Sequence, residues 1–257
     1  MTRSITLTAL PDLPDFKPGD DLASAISNAM LGSGLEPREG DILCVAQKVF
    51  SKVENCIVNL ATVTPSRAAL DYAAQLNKDA RKVEVILMQT ARVLRAFKHN
   101  GQNEGTIICR HKLGFTSANA GVDESNLDDP NTVMTLPPDP DSSARSLAET
   151  LSQRFGIQIG VVMTDTFGRP WRLGQVNVAI GLANVPATMR LEGEADAWGR
   201  PLTVTAPALA DELAAAAGLV MDKSAKTPVI MVRGLTWPKT ESSARQLVRA
   251  EKEDMFT

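Results

Sequence analysis

Short apolar runs and longer stretches of helical spacing alternate along this chain. Three runs, Ile42-Leu43-Cys44-Val45-Ala46, residues 157–163 and Val229-Ile230-Met231-Val232, are apolar and rich in β-branched residues. They predict buried strands. Thr106-Ile107-Ile108-Cys109 predicts a further strand, leading into Arg110-His111-Lys112-Leu113-Gly114-Phe115. Residues 4–10 alternate loosely and predict an edge strand. Gln47-Lys48-Val49-Phe50-Ser51-Lys52 continues from the run at 42–46 with polar groups interleaved.

Helical spacing marks other stretches. A helix is predicted from an N-cap at Asp20 or Asp21 to Leu31. Another starts with Thr64 as N-cap and Pro65 at the first helical position. Val83, Ile86, Leu87, Thr90, Leu94 and Phe97 share one face of a predicted helix over 79–97, although the β-branched cluster at Val83, Val85 and Ile86 also suits a strand. The Pro- and Asp-rich stretch 128–143 reads as an extended surface loop, with Asp141, Ser142 or Ser143 capping a helix to 155. Residues 176–183 suit strand or helix. A short strand at 203–205, an Ala- and Leu-rich helix over 206–221 and a charged terminal helix over 241–253 complete the expectation.

Composition narrows the chemistry. The 257 residues suffice for one large domain or two intertwined ones. A net charge of −3 gives no electrostatic case for nucleic acid or an anionic membrane. No apolar run is long enough to span a bilayer, and Met1-Thr2-Arg3-Ser4-Ile5 lacks a signal-peptide apolar region. Cys44, Cys56 and Cys109 are widely spaced, as expected of reduced thiols in a cytoplasmic protein. His99 and His111 are the only histidines, which argues against a His-based zinc site or a His-driven triad. Neither a Walker-type phosphate loop nor a Rossmann glycine fingerprint is present.

The richest stretch runs from Gly160 to Arg172. Its apolar first half stops at Thr164-Asp165-Thr166, a carboxylate between two hydroxyls. Gly168 and Pro170 then force a turn that carries Arg169 and Arg172. A buried strand delivering such groups to its carboxyl end fits the usual ligand position of open α/β sheets. Oxygen donors suit a hard cation such as Mg2+ or Mn2+, and guanidinium forks suit phosphate or carboxylate. An ion-paired structural turn would contain the same residue types. A second polar loop follows Gly121, where Asp123, Ser125 and Asn126 cluster; they suit an Asx turn or a second set of oxygen ligands. Lys48 and Lys52 suit surface charges or phosphate contacts.

Four segments together resemble the coenzyme F420-0:γ-glutamyl ligase family. They are Leu10-Pro11-Asp12-Leu13 with Pro18-Gly19-Asp20-Asp21; Gly40-Asp41 followed by Ser51-Lys52-Val53-Glu54; Leu113-Gly114-Phe115 with Ala118-Asn119-Ala120-Gly121-Val122-Asp123-Glu124-Ser125-Asn126; and Thr164-Asp165-Thr166-Phe167-Gly168-Arg169-Pro170-Trp171-Arg172 with Ala179-Ile180-Gly181. Gly199-Arg200, Ala210-Asp211-Glu212-Leu213-Ala214 and Val232-Arg233-Gly234 extend the match.

The resemblance implies a mixed α/β (α+β) fold of two interlocked lobes, with mixed, largely antiparallel sheets flanked by helices. Residues 1–257 would form one unit without a separable linker, assembled as a homodimer. The implied activity is a GTP-dependent ligase that joins L-glutamate to coenzyme F420-0 by an amide and then a γ-glutamyl bond, through an acyl phosphate. The implied ions are Mg2+ or Mn2+ at two sites, with K+ a further candidate. By resemblance Asp123 and Asp165 bind one metal and Thr166 the second. Asn126, Leu10, Pro11, Asp12, Leu13, Gln47, Lys48 and Lys52 contact GTP, as does the loop of Met221, Asp222, Lys223 and Ser224. Lys48, Lys52, Arg169 and Arg172 are candidates to share the charge of the transferring phosphoryl group.

Two departures from the family pattern stand out. Where many members have Asp-x-Arg-Gly, this chain has Arg190-Leu191-Glu192-Gly193, with the charges reversed. The glycine usual after the long helix is missing from Met221-Asp222-Lys223-Ser224-Ala225-Lys226. The first departure motivates a second reading, a ligase for a different carboxylate or amine; a third is a catalytically silent nucleotide- or cofactor-binding homologue that kept the fold. The intact Asp123, Asp165 and Thr166 argue against the silent one.

Overall fold

The uninterrupted apolar runs become neighbours in the middle of one sheet, because each has to bury both faces. The computed structural model describes residues 4–190, 195–203, 205–222, 226–237 and 241–254. In chain order the elements are β1 (Thr6–Ala9), α1 (Leu22–Gly32), β2 (Ile42–Ala46), α2 (Gln47–Val53), β3 (Ile57–Asn59), α3 (Arg67–Leu76), α4 (Ala80–Gln89), β4 (Thr90–Phe97), β5 (Thr106–His111), β6 (Thr116–Ala118), β7 (Thr132–Met134), α5 (Pro140–Phe155), β8 (Gly160–Arg169), β9 (Arg172–Ala183), α6 (Leu209–Gly218) and β10 (Val229–Arg233). The fold is α+β.

The main sheet has the order β1-β10-β2-β8-β9. Only β2 and β8 run parallel; the other neighbours are antiparallel. Leu43, Val45, Val161, Met163 and Met231 enter one core beneath α1 and α5. Ile42, Cys44, Val162, Ile230 and Val232 enter a second core beneath α6. Each such side chain stabilises the fold by roughly 1.5–3 kcal/mol. The α5 helix sits close enough to β9 that a Cβ at Gly181 would lie 2.4 Å from the Pro140 carbonyl oxygen. A smaller antiparallel sheet, β4-β5-β6, packs with α3 and α4 around Leu76, Val83, Ile86 and Ile107. β3 and β7 form a two-stranded ribbon beside them.

Several elements depart from the sequence pattern. Residues 47–53 form α2 and do not extend β2. The helix expected over 79–97 ends at Gln89, and Thr90–Phe97 becomes β4. Ser66, not Thr64, caps α3, its side chain accepting from the Ala69 amide. Asp139 caps α5, accepting from Ser142 at 3.0 Å. Asp141 instead accepts from Leu182, Ala244 and Ser243, which ties the C-terminal segment to β9. The stretch 128–143 is not wholly a surface loop, since Val133, Met134 and Leu136 are buried. Residues 176–183 are strand. Thr203 and Thr205 are not in a strand, and Val204 lies outside the described residues. The terminal helix is replaced by two short 3-10 turns, Ala244–Leu247 and Glu251–Glu253. The three cysteines are free thiols. Among the described residues no helix is long and apolar enough to cross a membrane.

Candidate functional site

A cleft of about 450 Å3 opens where β2 ends. Ala46 lies opposite Thr164, the last pair of the parallel ladder, and the chain then turns into α2. The β2–β8 ladder ends at that pair, and Asp165 and Thr166, further along β8, line the space. The helical turn also changes the lysines. In a continuing strand, Lys48 and Lys52 would be about 13 Å apart. On α2 they lie one turn apart, with Cβ atoms about 6 Å apart, and both line the cleft. Val49 and Phe50 turn to the core.

The opposite wall is the loop after β6. Asp123 is held by a backbone bridge to Met134, with hydrogen bonds of 3.0 and 2.8 Å. Its Oδ1 accepts from the amide and the hydroxyl of Ser125, both at 2.7 Å, the Asx turn that the sequence allowed. Its Oδ2 lies 2.7 Å from Lys48 Nζ. Lys48 also donates to the Ser125 hydroxyl. Burial raises the Asp123 carboxyl, but the bonds from Lys48 and Ser125 outweigh it and hold the group below its ordinary value. Asn126, with φ 62°, completes this wall in a left-handed conformation.

On β8, Asp165 Oδ1 accepts from the Thr166 amide at 2.8 Å. Thr166 donates to Asn177 on β9 at 2.9 Å, its cross-strand partner. Met221 receives contacts from Thr164 and Asn177 through its sulfur. Asp222 lines the cleft, with its amide bonded to Thr227 Oγ1 at 3.0 Å. Lys226 spans the mouth to Asp15 at 2.8 Å, and Lys226 holds the Asp15 carboxyl below its usual range.

The structure therefore brings Gln47, Lys48, Lys52, Asp123, Asn126, Asp165, Thr166, Met221 and Asp222 to one cleft. It does not bring Arg169 and Arg172 there. β8 runs four residues past Asp165, about 13 Å, so both arginines sit at the hairpin tip, where Arg169 Nη2 donates to the Leu173 carbonyl at 2.6 Å. The 10–13 loop is also displaced. Leu10 is fully buried, and Asp12 lines a separate surface hollow. Neither Pro11 nor Leu13 lines the cleft; Pro14, Asp15 and Phe16 form that part of its wall. Lys223, Ser224 and Glu192 lie outside the described residues, and Arg190 is exposed. Asp15, Gln175, Asn177 and Lys226 are lining residues that sequence reasoning did not select. Reading 176–183 as a strand would have exposed Asn177 as the partner of Thr166.

The donor set of two carboxylates and a hydroxyl, with neither imidazole nor thiolate, fits a hard divalent cation. Among the described residues, no three His, Cys, Asp or Glu side chains cluster as a metal cage. A bound Mg2+ would thus complete its shell with substrate phosphate and water, as this ion commonly does.

Sequence comparison gives the family of the chain. The F420-0:Gamma-glutamyl ligase family profile matches residues 12–234. The chain belongs to that family. A Methanopyrus kandleri protein named coenzyme F420:L-glutamate ligase is 41% identical over 93% of this chain and 92% of its own length. A Methanothermobacter thermautotrophicus protein of the same name is 37% identical over 98% of both chains. One from Archaeoglobus fulgidus is 38% identical over 95% of this chain and 93% of its own length. A ligase-family chain thus presents carboxylates and lysines to a single cleft.

Proposed function

We propose that this protein is a GTP-dependent ligase that joins L-glutamate to coenzyme F420-0, first by an amide and then by a γ-glutamyl bond. The observation that carries the reading is the convergence of Asp123, Asp165 and Thr166 with Lys48 and Lys52 in one cleft of a chain from this family. A carboxylate is a poor acylating agent because its oxygen is a poor leaving group. Phosphorylation of the acceptor carboxylate by the GTP γ-phosphate gives an acyl phosphate and GDP. The neutral glutamate amine then attacks the carbonyl carbon to form the C–N bond, the C–O bond breaks, phosphate leaves with the electron pair, and the nitrogen gives up a proton to water.

The chain's own residues position and neutralise. Lys48 and Lys52 are placed as point charges for the triphosphate, and Asn126 and Gln47 offer polar edges beside it. Asp123 and Asp165 would hold one divalent cation, Mg2+ or Mn2+, and Thr166 a second. Such ions neutralise charge on transferring phosphoryl groups. The Lys226–Asp15 pair joins two exposed lining residues at the edge of the cleft. The reading extends to a cytoplasmic homodimer. Incubating the protein with GTP, Mn2+, L-glutamate and F420-0 should yield GDP and a product heavier by one glutamyl residue. Absence of both overturns the reading.

A further inference from the structure

A second cleft, of about 300 Å3, lies on the other strand of the β8–β9 ribbon. Its size is at the lower end of the range usual for small-molecule sites. It abuts the first. Thr164 and Asp165 line the first cleft, and their cross-strand partners Ala179 and Val178 line the second. Directly opposed residues of an antiparallel ladder have Cα atoms only about 4.5–5.5 Å apart.

The charges of the second cleft are largely committed, with three exceptions. Asp139 caps α5, Asp141 holds the C-terminal segment, and Asp254 pairs with Arg110 at 3.0 Å. Arg245 and Arg249 form no ion pair among the described residues. Asp211 Oδ1 accepts the Ala179 amide at 2.9 Å, and Oδ2 has no protein partner among the described residues. Among the described residues, two guanidinium groups without an ion-pair partner and one carboxylate oxygen without a hydrogen-bond partner therefore line this mixed polar and apolar cleft.

We propose that this cleft is the site for the amino dicarboxylate substrate. The ammonium of L-glutamate docks on Asp211, and its carboxylates dock on Arg245 and Arg249. The pattern is complementary group by group, and it keeps the nucleophilic amine next to the strand pair that carries Asp165. Burial raises the Asp211 carboxyl above its usual value, against the Ala179 bond that lowers it; an ammonium partner offsets that cost. The assignment rests on the ligase reading above.

The test uses the full chain and three proteins: wild type, R245Q/R249Q and D211N. The asparagine of D211N keeps an oxygen for the Ala179 amide, and the two arginines are exposed, so all three should fold. In the ligase assay, R245Q/R249Q should raise the KM for L-glutamate about ten-fold or more and leave the KM for GTP unchanged. In saturation-transfer NMR, wild type should contact L-glutamate more strongly than glutarate, which lacks the amine. D211N should abolish that preference. An unchanged glutamate KM in R245Q/R249Q, or no amine preference in wild type, overturns the proposal. Wild type that binds glutamate with this preference but makes no product counts against the ligase reading and leaves the site standing.

Discussion

Lys48 Nζ sits 2.7 Å from Asp123 Oδ2 and also bonds Ser125, which in turn bonds Asp123. A cation of the protein thus occupies the carboxylate proposed to hold a metal. Arrival of metal and nucleotide requires an exchange, in which the divalent ion takes the carboxylate and Lys48 turns to phosphate. The pair is partly exposed, and solvent screening keeps the energy of its loss modest. Lys48→Met should tighten Mn2+ binding without nucleotide by about two- to five-fold. It should weaken GTP binding by about ten-fold or more. Titration calorimetry with Mn2+ alone, and then with Mn2+ and GTP, reads both effects. Changes of the same sign in both would contradict the exchange.

His111 makes stability depend on pH. Burial pushes its pKa down to about 4, and Lys112 adds to that lowering. Its Nδ1 accepts the Leu113 amide at 2.9 Å, and the ring stacks on Phe115. The folded state therefore holds a neutral ring, whereas the unfolded chain takes a proton near pH 6.5. The unfolded state binds more protons in this window, so stability should fall as pH drops from about 6.5 to about 4, with no further loss from this residue below that. His111→Phe should flatten this part of the curve. Urea unfolding across the range checks it, and an unchanged slope would contradict it.

Arg233 ties the far end of β10 to the start of β2. Its Nε and Nη2 bond the two oxygens of Asp41 at 2.7 and 2.6 Å, and Nη2 also reaches the Glu36 carbonyl at 2.8 Å. Asp41 is almost wholly buried. Arg233→Met leaves that carboxylate, among the described residues, with the Arg38 amide as its hydrogen-bond partner at 2.8 Å. The expected loss is about 3 kcal/mol, read from urea unfolding. A loss below about 1 kcal/mol would show that Asp41 is satisfied without the fork.

Much of the main sheet was legible because burial on both faces leaves an uninterrupted apolar signature at 42–46, 157–163 and 229–232. The smaller sheet was not. Leu94 and Phe97 continue the helical spacing of Val83, Ile86 and Leu87, while β4 lacks the two-residue alternation that would announce a strand. Register shifts at Thr90/Arg92 and Val93/Arg95 interrupt that alternation. The C-terminal turns depend on Asp141, a contact about a hundred positions away that no local pattern encodes.

At the site, the residue types of Asp123, Asp165 and Thr166 were readable, and so were the lysines. Their meeting was not, because it depends on β2 stopping one pair short of Asp165. The distance of Arg169 and Arg172 from the cleft has a related cause. Gly168 and Pro170 make the turn that carries both arginines, and β8 extends four residues past Asp165 before reaching it.

Mn2+-dependent GTP binding by wild type and Asp165→Asn tests the central claim most directly. The asparagine side chain in that variant keeps an oxygen for the Thr166 amide, so the strand should persist while the metal loses a charged ligand. Wild type should bind GTP tightly only with Mn2+, and D165N should lose most of that dependence. Equal Mn2+-dependent binding by both proteins would contradict the placement of the nucleotide and its metal in this cleft.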